Sequence, residues 1–177
     1  MRKALAASVP PPQRRLLDDV PILVVADSDF RALTRSGKGQ AVTLIIHGRP
    51  VVIVREGADI ASLHEEGIHV LQIKDPVWSE HVGALSEENL ANWDQLTIEE
   101  QMSIYRAKLD VEIDAQRRLL ASLDARGGDT SLQKELARTA LDNLMRRARE
   151  VEGIGDVELA RMHAGLKDVP QWLDQPA

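Results

Sequence analysis

Short β-branched runs in the first third of the chain predict a small β-sheet. Val42–Ile46 and Val51–Val54 are two such runs, and they flank the four residues His47-Gly48-Arg49-Pro50. A short connection rich in Gly and Pro between β-branched runs is typical of a hairpin. The earlier run Pro21–Val25 ends at the polar residues Asp27-Ser28-Asp29, which predicts a further, buried strand.

From residue 59 onward the spacing of apolar residues changes to that of α-helices. Over residues 59–72 the apolar positions recur at helical intervals. They are Ile60, Leu63, Gly67, Val70 and Leu71. Thr97 and Glu100 form a capping box, which predicts a long helix ending near Ala125. Another box at Thr130 opens a helix with an apolar stripe, which we expect to face the core. The stripe consists of Leu132, Leu136, Ala140, Leu144 and Ala148.

Shorter helices are predicted over Ser86–Trp93 and Asp156–Leu166. A few strands followed by about four helices indicate the α+β class, with a small N-terminal β-hairpin or sheet and a predominantly helical remainder. At 177 residues the chain has the size of one domain. We expect residues 1–20 to be a leader or linker with a short helix, residues 21–166 a single α+β domain, and residues 167–177 a tail.

Composition and charge exclude several classes of function. The chain has no cysteine, which excludes disulfides, thiolate metal ligands and a cysteine nucleophile. No run approaches the ~18 apolar residues that span a bilayer, so no membrane span is expected. Residues 59–100 hold ten acidic side chains against one lysine, Lys74. Such a surface repels phosphate backbones and argues against nucleic-acid binding. It is either a solvated face or a field that attracts cations.

The predicted 59–72 helix carries a concentration of ligand-type side chains. On a helical wheel Glu65, Glu66, His69 and Gln72 lie opposite the apolar positions. Glu65 and His69 are four residues apart and therefore stack one turn from each other. The H-E-x-x-H motif of metallopeptidases uses this spacing to grip a metal ion, with the second residue as the base. Here the residues read E-E-x-x-H. They indicate either a metal site or an ordinary solvated face.

The long helix bears a carboxylate on its apolar side. Its stripe consists of Met102, Tyr105, Leu109, Leu119, Leu120 and Leu123, and it also contains Glu112 and Gln116. A carboxylate on a buried face is unfavourable unless it is paired or bound to metal. Glu112 therefore needs a partner, which is either a cation such as Arg106 or Arg49 or a metal ion shared with His69.

The segment from Arg55 to Gln72, which contains Glu65-Glu66-Gly67-Ile68-His69, resembles zincin-like metallopeptidase toxin domains of bacterial polymorphic toxins and secreted effectors. The resemblance extends over roughly residues 40–120 and includes the segment Tyr105–Gln116. It implies a zincin-like helical bundle, with Glu65, His69 and Glu112 as metal ligands and Glu66 as the general base. It further implies a divalent metal, zinc in the first place, with manganese or iron as alternatives because the O,N,O ligand set is harder than His₂Glu.

The same resemblance implies a hydrolase that acts on a protein or peptide substrate. Such domains are made in the bacterial cytoplasm and delivered to a target cell, and a cognate immunity protein is then expected as a partner. In this scheme we considered Tyr105 as an oxyanion donor. The alternative is a non-catalytic helical adaptor, or a degenerate metallopeptidase domain, that contacts a partner protein through its acidic face and the region of Trp78 and Trp93.

Overall fold

The structure, a computed structural model, describes residues 1–34, 39–84, 92–126 and 130–152. In it, strands β1 (Ile22–Val25), β2 (Ala41–Ile46) and β3 (Arg49–Arg55) form one sheet with the order β1-β3-β2. β3 is central and pairs parallel with β1 and antiparallel with β2. Helix α2 (Asp27–Thr34) follows β1. The sheet and the helices that follow confirm the α+β class.

The β2–β3 hairpin is tighter than the sequence predicted. Arg49 and Pro50 belong to β3, where they pair with Ile46 and Ile45, so that only two residues form the turn. These are His47, with φ 51°, and Gly48, with φ 74°. Two successive residues with positive φ give a turn whose twist matches that of the strands. His47 is exposed at this turn.

β3 is buried on both faces because alternate residues of a strand point to opposite sides. Val52 and Val54 belong to a core cluster together with Val70 and Leu71 from the segment that follows the hairpin. Val51 and Ile53 pack instead around Phe30 of α2. β1, by contrast, lies at the edge, and its Leu23 and Val24 are about half exposed, so the prediction of a buried strand was wrong for its two central residues.

The N-terminal segment contributes to the core, although the sequence suggested a leader or linker. It contains helix α1 (Arg2–Leu5) and a 3₁₀ helix over Pro11–Leu17. Four of its apolar residues, Leu5, Val9, Leu17 and Val20, are at most 2% exposed. Leu5 lies directly on Gly67, where an added Cβ would stand 2.0 Å from the Leu5 carbonyl oxygen. A glycine is therefore required at this crossing.

Four further helices complete the described part of the chain: α3 (Leu63–Lys74), α4 (Ser79–Ala84), α5 (Ile98–Ala125) and α6 (Ser131–Glu152). The Thr97–Glu100 capping box is present and begins α5, as predicted. The stripe on α6 is only partly buried. Leu144 is 8% exposed and faces α5, whereas Leu132 and Leu136 are 67% and 63% exposed, so the stripe prediction was wrong for its first turns.

Trp93, which the adaptor hypothesis placed at a partner surface, is 5% exposed inside the core cluster between α5 and α6. It is therefore a packing residue. Across the described residues, no helix combines the length and apolar character needed to cross a bilayer. Most of the predicted 86–93 helix, and all of the predicted 156–166 helix and the 167–177 tail, lie outside the described residues.

Candidate metal centre

Two helices bring the predicted ligand residues together. Glu65 and His69 stand one turn apart on α3, and Glu112 lies near the middle of α5, which packs against α3. His69 Nε2 is 4.0 Å from Glu65 Oε1 and 3.7 Å from Glu112 Oε2. One ligand atom from each of the three residues lies within 4.8 Å of the other two. The expected convergence of Glu112 and His69 is confirmed.

These separations suit a site that closes around an ion. Zn–N and Zn–O bonds near 2.1 Å in a tetrahedral site place neighbouring ligand atoms roughly 3.4 Å apart. The two measured distances are somewhat longer than that and exceed hydrogen-bond range. All three side chains are partly covered, with exposed fractions of 33% for Glu65, 16% for His69 and 29% for Glu112. The group can therefore hold a metal ion with access from solvent.

The face of α3 that carries these residues is not a solvated face. Glu66 is 8% exposed and Gln72 is completely buried, because this side of α3 packs against β2 and α5. The opposite side bears Leu63, Val70 and Leu71, which are buried as predicted. Charged side chains on a buried helix face need compensation. The solvated-face interpretation of this motif was therefore wrong.

Glutamine side chains hold two of the three ligand residues. Gln116 Nε2 donates to Glu65 Oε1 over 2.5 Å. Gln72 Oε1 lies 2.9 Å from His69 Nδ1, and Gln72 Nε2 donates to the carbonyl oxygen of Val111 and to Asp114 Oδ2. The sequence placed Gln116 on the stripe of Glu112 and Gln72 on the side of His69. Their hydrogen-bond partners became visible only in the structure.

Glu66 is anchored separately from the ligand group. Thr43 Oγ1 on β2 donates to Glu66 Oε2 over 2.6 Å, and it is also 3.3 Å from the backbone carbonyl oxygen of Glu66. Burial raises the pKa of the Glu66 carboxyl, while His69 and the Thr43 hydroxyl partly oppose this rise. Sequence reasoning did not find Thr43. A Thr in a β-branched strand gives no signal that its hydroxyl faces a carboxylate on a later helix.

The site concentrates three carboxylates around one imidazole. Burial, together with the charges of Glu112 and Glu66, raises the pKa of Glu65 to about 7. Burial by itself would lower the pKa of His69, but the carboxylates of Glu112, Glu66 and Glu65 raise it to about 9. Without a cation the cluster therefore takes up protons at neutral pH. A divalent cation would compensate the same negative charge.

Metal affinity at this cluster should increase with pH between 6 and 9. His69 must release its proton before Nε2 can bind a metal, and Glu65 must be ionised, with pKa values of about 9 and about 7. At pH 7 roughly one to two protons should leave per metal bound. Calorimetric titration with Zn²⁺ in buffers of different ionisation enthalpy measures that number. An affinity that does not change over this pH range would contradict the assignment.

The metal-free protein should show the opposite trend in stability. Both groups bind protons more tightly in the folded chain than in the unfolded chain. Their contribution to the free energy of unfolding is complete below their unfolded pKa values, near 4.5 for Glu65 and 6.5 for His69. It is lost as the pH rises through about 7 and about 9. Added metal should recover stability over the same range.

A cavity of about 270 Å³ opens beside the ligand group, with Glu65 and Gln116 in its wall. The rest of the lining is mainly apolar and comes from α5 and α6. It includes Leu119, Leu123, Leu136, Ala137 and Ala140. His64 also lines this cavity, and burial lowers its pKa. The three candidate ligand residues therefore lie at the edge of a recess large enough for one side chain.

The structure does not support the three further residues that the sequence suggested as partners at the site. Arg106 and Arg49 form no ion pair with Glu112 within the described residues, where His69 is the paired group. Tyr105 belongs to the core cluster between α5 and α6, and its hydroxyl interacts with Arg147. It is two turns, about 10 Å, from Glu112 along the helix axis. Its position does not support a role as oxyanion donor.

Comparison of the chain with protein-family models, with curated proteins and with solved structures found no match.

Proposed function

We propose that this protein is a metal-dependent hydrolase that cleaves a protein or peptide substrate. The observation that carries the proposal is the convergence of donor atoms from Glu65, His69 and Glu112 within 4.8 Å, on two helices and partly covered from solvent. Carboxylates in such surroundings require a counter-charge, and a divalent cation supplies it. Three protein ligands also leave a coordination position open, as in catalytic metal sites.

The donor set fits a divalent ion. Two carboxylate oxygens and one imidazole nitrogen suit zinc and also the harder ions manganese and iron(II). A bound ion would act as a Lewis acid toward a substrate carbonyl and lower the pKa of water. Zinc is our first assignment, and the ion retained on purification, together with the ion that restores activity, decides among the three, because N/O sites generally bind Zn²⁺ more tightly than Mn²⁺ or Fe²⁺.

Glu66 is the proposed general base. It precedes the turn that carries His69 and is not one of the three converging ligand residues. Burial raises its pKa, which makes the carboxylate a stronger proton acceptor, and the Thr43 hydroxyl holds it in place. Glu66 would then return the proton to the leaving amine. The apolar cavity beside Glu65 would accept a side chain of the substrate.

The resemblance of residues 40–120 to zincin-like toxin domains supports a peptidase that acts as a toxin or effector. Under that proposal the chain is made in a bacterial cytoplasm and delivered to a target cell. A cognate immunity protein would then bind and inactivate the producing cell's copy. The competing proposal is a non-catalytic or degenerate domain. Under that proposal Glu66 takes no part in a reaction.

Metal analysis of protein purified without chelators tests the proposal first. We expect about one equivalent of zinc, manganese or iron per chain, removable by chelation and restored by one of these ions. Hydrolysis of a fluorescence-quenched peptide library should follow metal occupancy. A chain that retains no metal and gains no stability from any of the three ions would contradict the metal centre. A loaded chain that cleaves no peptide and is not toxic would contradict the peptidase assignment alone.

A further inference from the structure

The amide of Gln72 has only one orientation that satisfies its neighbours. Its side chain is completely buried between His69 and α5. Its Nε2 lies 2.9 Å from the Val111 carbonyl oxygen and 2.8 Å from Asp114 Oδ2. Both of these atoms are hydrogen-bond acceptors, so the atom that faces them must be the NH₂ group. The amide oxygen of Gln72 therefore faces His69.

This orientation determines where His69 carries its proton. Gln72 Oε1 is 2.9 Å from His69 Nδ1, and because Oε1 can only accept, Nδ1 must be the donor. In the neutral imidazole the lone pair is then on Nε2. Nε2 is the nitrogen that faces Glu112 Oε2 at 3.7 Å and Glu65 Oε1 at 4.0 Å. The ring is thus held in the tautomer that a metal ion needs.

The series of hydrogen bonds that begins at His69 and Gln72 continues into α5 and ends on the cation Arg118. Asp114 Oδ2 accepts from Arg118 Nε at 2.7 Å as well as from Gln72. The Asp114–Arg118 pair carries no net charge, and the glutamine that contacts His69 is neutral. These hydrogen bonds therefore orient the imidazole of His69 without adding a further negative charge beside the carboxylates of Glu65, Glu66 and Glu112.

We propose that Gln72 is a positioning residue of the metal centre, which fixes the Nδ1–H tautomer of His69 and ties the ligand helix α3 to α5 through Val111 and Asp114. The inference rests on the metal-binding part of the proposed function, and it assigns a role to a residue that does not contact the metal. Groups that orient a ligating histidine typically contribute a factor of 10–100 to metal affinity.

The chain offers a matched control for the test. Gln101 is also a buried glutamine, 5% exposed, and its Nε2 donates to the carbonyl oxygens of Trp93 and Leu96, away from His69. Gln72→Met and Gln101→Met both remove such hydrogen bonds while keeping side-chain length. Zn²⁺ titration should show about 10–100-fold weaker binding for Gln72→Met and unchanged binding for Gln101→Met. Equal affinities for Gln72→Met and wild type would overturn the proposal.

Nuclear magnetic resonance of the histidine ring nitrogens supplies a readout that loss of packing does not mimic. In the zinc-loaded wild-type protein Nδ1 of His69 should carry a slowly exchanging hydrogen and Nε2 none, and in zinc-loaded Gln72→Met the Nδ1 hydrogen should exchange faster. A wild-type ring protonated on Nε2 alone would overturn the proposal even if no variant folds.

Failure of the proposed function gives a different pattern of results. If the wild-type chain binds no metal, the metal centre is wrong and the positioning role falls with it. If the wild-type chain binds zinc and Gln72→Met and Gln101→Met weaken binding equally, the metal centre stands. In that case only the role of Gln72 is refuted, and its effect is one of packing.

Discussion

Replacing Glu66 by glutamine should lower hydrolytic activity, or toxicity in a susceptible cell, by roughly 10²-fold or more while metal content stays unchanged. Glutamine keeps the size of the side chain and an oxygen for the Thr43 hydroxyl, but it cannot take up a proton. Glu66 is not one of the converging ligand residues, so the ion should remain bound. Hydrolysis of the peptide library and metal analysis of the same preparation measure the two effects separately.

The thermal stability of Glu66→Gln should not fall with its activity. Because burial raises the pKa of Glu66, ionisation of its carboxyl above pH 4.5 opposes folding. The neutral amide removes that opposition, so the melting temperature of metal-free Glu66→Gln should be unchanged or higher at pH 7. Glu99→Gln, at an exposed position of α5, is the matched control and should leave both quantities unchanged. Full toxicity of Glu66→Gln with metal bound would end the peptidase proposal and leave a structural metal, whereas full peptide hydrolysis by this variant would refute only the role of Glu66 as general base.

Replacing His69 by alanine should abolish the stabilisation of the protein by added zinc or manganese. A metal that binds only the native state adds RT ln(1 + [L]/Kd) to the free energy of unfolding, about 2.7 kcal/mol at a concentration of 100 Kd. His69 supplies the single nitrogen of the group, and without it two carboxylates remain. Thermal unfolding of wild type and variant, each with and without metal, measures the difference.

His47→Asn provides the control for this experiment. His47 is exposed in the hairpin turn with φ 51°, a conformation that asparagine tolerates. Its metal-dependent shift in melting temperature should equal that of the wild-type chain. If His69→Ala still gains stability from metal, the ion binds elsewhere, and Glu65 and Glu112 lose their assignment as ligands.

The sequence predicted local features well where a single element determines them. The β2–β3 hairpin follows from two β-branched runs around His47-Gly48, and the start of α5 follows from the Thr97–Glu100 box. Spacing also placed Glu65 and His69 on one side of a helix. Backbone propensity, capping and helical periodicity act over a few residues and can therefore be read directly from the chain.

Predictions of which apolar residues other elements of the fold cover were less reliable. The N-terminal segment was expected to be a leader or linker, yet its Leu5 and Val9 pack against α3. Leu136 was expected in the core and is 63% exposed. An apolar residue is buried only if another element covers it, and periodicity along one helix does not reveal which faces are covered.

At the candidate site, too, the sequence predicted the local features, and the contacts between elements had to come from the structure. The sequence by itself determined that Glu65, Glu66 and His69 share one helix face and that Glu112 lies on the apolar side of another helix. Only the tertiary structure decided that α3 and α5 face each other, so that His69 Nε2 comes within 3.7 Å of Glu112. It also decided that Gln72 donates to Val111 and Asp114, Gln116 to Glu65, and Thr43 to Glu66. The reason is physical. Hydrogen bonds between residues 23 to 51 positions apart depend on how whole elements pack, and no local pattern specifies that packing.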